Sequence, residues 1–177
     1  MESTVRMTGA LDPRGGWRAE RCSIAAALEV IGTRSSFLLL REAFYGTRRF
    51  DDFAERAGIS EPVTAARLRE LLAHGLLARE PYREPGERTR ERYRLTDKGV
   101  ELFPALAALL QWGDRWLEGG GGVELRHHEC GERVGVELRC AAAHTVAPGE
   151  LALAPRRGAG AGGTRHATHD EKETGNA

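Results

Sequence analysis

Apolar side chains recur at helical spacing from residue 21 to residue 117, and that pattern sets the architecture. Between Cys22 and Ile31, Ile24, Leu28 and Ile31 share one stripe, and Gly32 closes the segment. Ser35 or Ser36 is expected to cap the next helix, in which Phe37, Leu38, Leu39, Leu40, Ala43 and Phe44 are apolar. A helix apolar on so many sides should be the central one, ended by Gly46-Thr47. Phe50 to Ala57 then reads as a short amphipathic helix, Gly58-Ile59-Ser60 as a turn, and Glu61 to His74 as a further helix stopped by Gly75. The period next changes from helical to alternating. Leu76-Leu77-Ala78-Arg79 starts a strand and Arg90-Glu91-Arg92-Tyr93-Arg94-Leu95 is its return partner. Thr96-Asp97-Lys98-Gly99 opens a long last helix through Trp116, lined by Leu102, Leu106, Leu109, Leu110 and Trp112. Asp97 favours its dipole and Pro104 is expected to kink it.

Helix, turn, helix and then an arginine-dense hairpin is the order of a winged helix, whose usual work is reading duplex DNA. The fold class expected is mainly α with a small β-wing, a winged helix-turn-helix carrying a long C-terminal dimerisation helix. Around this domain, at 21–117, composition shifts mark other segments. Residues 1–20, with Gly9, Pro13, Gly15 and Gly16 and no apolar period, are expected to be a flexible arm. Residues 118–154 join a Gly119–Gly122 linker to a small β-rich extension of two or three strands, and 155–177 are expected to be a disordered tail with idle His166 and His169.

Composition then narrows the function. The 26 Lys and Arg balance 26 Asp and Glu, so contact with nucleic acid must come from local clustering. Lysine occurs only at 98 and 172; the rest of the positive charge is arginine, which bonds phosphate and guanine through a planar fork. No apolar run has the roughly 20 residues of a membrane helix, and no signal-peptide core is seen, so a soluble cytoplasmic protein without membrane contact is expected. Enzyme signatures are lacking as well. Gly119–Gly122 precedes a strand-like segment and not the helix of a phosphate loop, and there is no nucleophile elbow or paired-carboxylate cleft.

The reading helix can be laid out from its geometry. Thr64, Leu68, Leu71 and Leu72 share the face that should dock on the core. Pro62, Val63, Ala66, Arg67, Arg69 and Glu70 lie opposite, with Ser60 at the N-cap. Residues near the start of such a helix reach base edges: Arg67 and Arg69 suit guanine or phosphate, Val63 and Ala66 suit thymine methyls. The same arginines would also serve as a plain solvated face. Between Tyr82 and Arg90, a Pro85-Gly86 turn presents Arg83, Arg88 and Arg90 to backbone or minor groove, diluted by Glu84, Glu87 and Glu91. Arg34, Ser35 and Ser36, at a helix start, are expected phosphate contacts.

The ordered motifs Cys22-Ser23-Ile24-Ala25, Ile31-Gly32-Thr33-Arg34, Leu38-Leu39-Leu40-Arg41-Glu42, Arg49-Phe50-Asp51-Asp52-Phe53, Gly58-Ile59-Ser60, Arg67-Leu68-Arg69-Glu70-Leu71, Gly75-Leu76-Leu77, Tyr93-Arg94-Leu95-Thr96-Asp97-Lys98-Gly99 and Gln111-Trp112-Gly113-Asp114 span residues 21–117. Together they resemble the HxlR-type family of bacterial winged-helix regulators, related in architecture to MarR-type proteins. The chain departs from that pattern in having Ser35-Ser36 for a usual Trp-Thr, and Thr64 for a large apolar residue. The resemblance implies a sequence-specific transcriptional regulator, a repressor in the first instance. It also implies a homodimer through the terminal helices, for which Ile24, Leu28, Leu109, Trp112 and Trp116 are the expected contacts. The alternative is a winged-helix protein-interaction module without specific DNA binding.

An unidentified small-molecule or redox signal is a further expectation. Cys22 stands where many relatives carry a cysteine, some of them sensors, and a helix N-terminus favours thiolate; it would equally serve as a small buried hydrophobe. No cofactor is required. His128, Cys130, Cys140 and His144 contain enough ligands for zinc, and some family members carry a Cys-rich extension. Paired Cys-x-x-Cys knuckles are absent here, and a metal-free hairpin is the favoured alternative.

Overall fold

Backbone chemistry at the helix ends sets the layout of the central region. The computed structural model describes residues 5–11, 22–83, 86, 88–119 and 121–155. Helix α1 is Ser23–Ile31, and α2, Arg34–Phe44, starts after a bend of 78°. Helices α3 (Phe50–Ala57) and α4 (Glu61–Ala73) form the helix-turn-helix. Strands β2 (Leu77–Tyr82) and β3 (Arg90–Leu95) pair antiparallel, Leu77 against Leu95 through Tyr82 against Arg90. Helix α5 is Asp97–Val100 and α6 is Phe103–Trp116.

The ends of α2, α3 and α4 share one device. The amides of Gly46, Gly58 and Gly75 and of the residue after each turn back onto the last turn, as in Gly58 N–Glu55 O and Ile59 N–Ala54 O, both 3.1 Å. This closure needs a left-handed residue, and Gly58 and Gly75 sit at φ of 62° and 69°. The start of α2 corrects the expected cap. Thr33 is the N-cap, its Oγ1 accepting from Ser36 N at 3.1 Å, because Ser35 and Ser36 already lie inside the first turn.

Helix α2 is central as expected, touching α3, α4, β3 and α6. Leu39 and Leu40 pack with Phe53 of α3, Leu68 and Leu71 of α4, and Leu77 of β2, all fully buried. Truncating one such side chain to alanine costs about 2–5 kcal/mol. Buried Glu42 takes both Nε and Nη2 of Arg41 on one oxygen, at 3.0 and 2.6 Å, and Thr47 Oγ1 on the other at 3.3 Å. The carboxylate is thereby paired where an unpaired one would be costly.

The last helix departs from expectation. It is broken at Glu101-Leu102 into α5 and α6, where one kinked helix was expected. Pro104 has no amide hydrogen to give Val100 O, so the ladder stops and restarts from Leu102, which accepts from Leu106 N at 3.2 Å. Phe103 packs on Phe44 with ring centroids 4.9 Å apart, tying α6 to α2.

The segment after α6 also differs. In place of two or three strands, residues 123–146 carry isolated bridges at Arg126–Arg133 and Arg139–Thr145. The Gln111 side chain occupies the main chain there, donating to Val134 O at 2.6 Å and accepting from Val136 N at 3.0 Å, so a strand partner is displaced. Gly121 N, in the expected free linker, donates to Asp114 Oδ1 at 2.8 Å.

Contacts group residues 18–146 as one unit and residues 1–17 with 147–177 as another, so 147–154 part from the extension expected at 118–154. In the second unit, β1 (Arg6–Met7) pairs in parallel with β4 (Ala152–Leu153), which gives the expected arm an ordered portion. The rest of the arm from 12 and the tail from 156 lie outside the described residues.

Candidate nucleic-acid interface

Helix α4 has two faces of opposite character. Thr64, Leu68 and Leu71 are fully buried, and Leu72 packs on the same core. Thr64 sits beneath the helix as expected from its face, its hydroxyl turned to Ile59 O at 3.4 Å. Ser60, Pro62, Val63 and Arg69 are exposed, and Ala66 and Arg67 are half-buried beside them. The two arginines are held differently. Arg67 Nη1 is paired with Glu70 Oε2 one turn along, whereas Arg69 Nε lies 3.3 Å from the Ala65 carbonyl and its guanidinium reaches solvent. The i, i+3 spacing of Arg67 and Glu70 permits this pairing, and the rotamers in the structure make it.

The wing is fixed at its base. Tyr93 N donates to Arg48 O at 2.8 Å, and the Tyr93 ring meets Phe53 edge-on at 5.7 Å. Tyr82 is flanked by Arg49 and Arg92, at 5.9 and 5.8 Å from its centroid. Along the strands, cross-strand carboxylates engage the arginines: Arg79 with Glu91 at 3.1 Å, Arg92 with Glu80 at 2.7 Å, Arg94 with Glu80 at 3.8 Å. Expected contacts Arg83, Arg88 and Arg90 all lie toward the tip, beyond these pairs, around Gly86 at φ 84°. Glu84, Pro85 and Glu87 lie outside the described residues.

Of the expected phosphate contacts at the start of α2, Arg34 is exposed and Ser35 half-buried. Ser36 is removed from the set: it is 1% exposed, and its hydroxyl lies 2.8 Å from Thr33 Oγ1 within the cap.

The expected dimer residues are conspicuous by exposure. Ile24 (71%) and Leu28 (53%) on α1, with Leu109 (53%), Trp112 (56%) and Trp116 (64%) on α6, face solvent in the single chain. Nearby, a cavity of about 240 Å³ opens between α2 and α6, lined by Phe37, Leu38, Tyr45, Phe103 and Leu106, with Leu125 of the extension on its wall.

Cys22 is a half-buried free thiol at the N-cap of α1. The zinc set does not assemble: among the described residues no three of His, Cys, Asp or Glu are grouped to hold a metal. Cys130 Sγ lies 3.1 Å from Nδ1 of His127, not from His128, while Cys140 and His144 belong to a separate turn closed by Cys140 N–His144 O at 3.0 Å.

Comparison with known proteins agrees with this geometry. Residues 30–120 match the family described as HxlR-like helix-turn-helix. An uncharacterised HTH-type transcriptional regulator of Mycobacterium tuberculosis is 46% identical over 125 residues, covering 70% of this chain and 78% of the relative. A Synechocystis regulator of the same description is 36% identical over 98 residues, covering 55% and 71%. Among solved structures, PA1607, a candidate transcription factor, aligns with a TM-score of 0.64 at 35% identity, over 73% of this chain and 91% of that one. These relatives are named as regulators or transcription factors and not as enzymes.

Proposed function

The chain belongs to the HxlR-like helix-turn-helix family of DNA-binding transcriptional regulators, and on that premise we propose that it reads a specific duplex sequence as a cytoplasmic homodimer. The observation that carries this reading is the two-faced α4, with Pro62, Val63, Ala66 and Arg69 on the outer side of a helix whose inner side is fully buried. The N-terminal half of α4 enters the major groove. Arg69 supplies a guanine or phosphate contact, and Val63 with Ala66 supplies apolar contact to thymine methyls. Arg83, Arg88 and Arg90 bring the wing tip to the backbone or minor groove, and Arg34 with Ser35 adds a phosphate contact.

The exposed Ile24, Leu28, Leu109, Trp112 and Trp116 support dimerisation through the terminal helices. A set of large apolar side chains at this exposure marks an interaction surface, and two-fold symmetry would set two α4 helices about one DNA turn apart. A dimer seated so on promoter DNA excludes polymerase from the same duplex, so repression is its simplest output.

Selection of bound duplexes from a random pool tests the reading. The expected result is a two-fold-symmetric motif with half-sites about 10 base pairs apart. A pool that stays random through successive rounds would overturn it and favour a protein-interaction module on the same fold.

A further inference from the structure

Three consecutive carbonyls follow the recognition helix, those of His74, Gly75 and Leu76, and one short segment holds all of them. Lys98 Nζ donates to His74 O at 2.7 Å. Thr96 Oγ1 donates to Gly75 O at 2.6 Å and lies 3.3 Å from Leu76 O, to which the Thr96 amide donates at 3.1 Å. Thr96 Oγ1 also accepts from Gly99 N at 3.1 Å, which starts α5. Helix α4 does not need these bonds to end, because Gly75 N and Leu76 N already close its last turn on Leu72 O and Leu71 O, both at 2.9 Å. Lys98 is the sole lysine among the described residues, and its exposed ammonium is committed to a carbonyl at the negative end of the helix dipole.

We infer that Lys98 and Thr96 are positioning residues for DNA reading, fixing the angle at which α4 leaves the base of the wing. This rests on the DNA-reading function proposed above. The 13 residues of α4 span about 20 Å. A pivot of roughly 5° at the C-terminal end therefore moves Pro62 and Val63 by about 1.4 Å, nearly three times the width of the hydrogen-bond distance range. Base-edge contacts fail at such a displacement, whereas phosphate contacts, which are longer-ranged and made by flexible arginines, persist. The clamp thus acts on discrimination between sequences and not on overall affinity. Because Thr96 and Lys98 lead directly into α5 and α6, the same bonds join the reading helix to the helix that carries Leu109, Trp112 and Trp116.

The test uses the full chain with the duplex recovered by selection and a scrambled duplex, titrated by fluorescence anisotropy across a salt series, with thermal midpoints in parallel. For Lys98→Met the expected result is a fall of about tenfold in the ratio of selected to scrambled affinity, with scrambled affinity and salt slope unchanged. Lys98→Arg, which keeps a donor for His74 O, restores the ratio; Thr96→Ser restores what Thr96→Val loses. An unchanged ratio in folded Lys98→Met overturns the inference. Equal loss on both duplexes, with a salt slope shallower by about 0.9, overturns it in favour of a direct phosphate contact. A wild-type chain that does not discriminate between the duplexes instead overturns the underlying DNA reading.

Discussion

Gly99→Ala should be severely destabilising although it adds one methyl group. A Cβ at Gly99 would lie 2.2 Å from Leu76 O and 3.1 Å from the Leu95 Cδ2 methyl. The oxygen is backbone at the start of the wing, so relief needs a main-chain shift from 2.2 Å to about 3.0 Å. A displacement of that size carries the 3.1 Å Thr96 N–Leu76 O bond past hydrogen-bond length. Overpacking costs about 1–3 kcal/mol, and each weakened hydrogen bond about 0.5–1.5 kcal/mol, so a loss of roughly 2–5 kcal/mol is expected. For a unit of this size that lowers the thermal midpoint by roughly 6–20 °C. The comparator is Gly113→Ala in α6, where nothing lies within 4 Å of the added carbon. There the better helix propensity of alanine should stabilise by up to about 1 kcal/mol. Calorimetry at one fixed protein concentration reads both. A Gly99→Ala midpoint within about 2 °C of wild type would refute the reasoning, since the wing base would then be free to move.

Three other perturbations have defined outcomes. Trp112→Ala and Trp116→Ala should each weaken self-association by on the order of 10- to 100-fold in sedimentation velocity, and an unchanged equilibrium would place these rings outside the interface. Glu70→Ala releases Arg67, so affinity for scrambled duplex should rise and its salt slope should steepen by about one; equal slopes would mean that Arg67 stays off the phosphates. Thr33→Ala removes the α2 cap and strands the buried Ser36 hydroxyl, which should cost about 1–2 kcal/mol in urea unfolding, against near-neutrality if water replaces the cap.

Local elements could be read from the chain because their causes are local. Phe50–Ala57 and Arg90–Leu95 begin and end where periodicity and turn residues place them. The expected cap of α2 lies two or three residues past the observed one because Thr33, Ser35 and Ser36 all have capping hydroxyls, and only backbone position distinguishes them. Pro104 announced a disturbance in the last helix, but whether a proline bends a helix or divides it depends on what else holds the turn. Pairing at long separation had no periodic trace: β1 meets β4, Gln111 reaches Val134 and Val136, and Lys98 reaches back to His74. In the interface, burial of the inner face of α4 followed from spacing alone. Which arginine is held by a carboxylate did not, since it is a choice among rotamers that Arg67 settles with Glu70 and Arg69 does not.

Reading of a specific sequence by α4 is tested most directly by competition at the chain's own promoter. Labelled promoter duplex is titrated with wild type and with Arg69→Ala, each challenged by unlabelled scrambled DNA. Wild-type binding should survive the challenge, and Arg69→Ala should lose about 1–3 kcal/mol of discrimination, or roughly 5- to 150-fold, while keeping its affinity for scrambled duplex to within a few-fold. Equal competition by promoter and scrambled DNA in the wild type, or full discrimination in Arg69→Ala, would contradict the account.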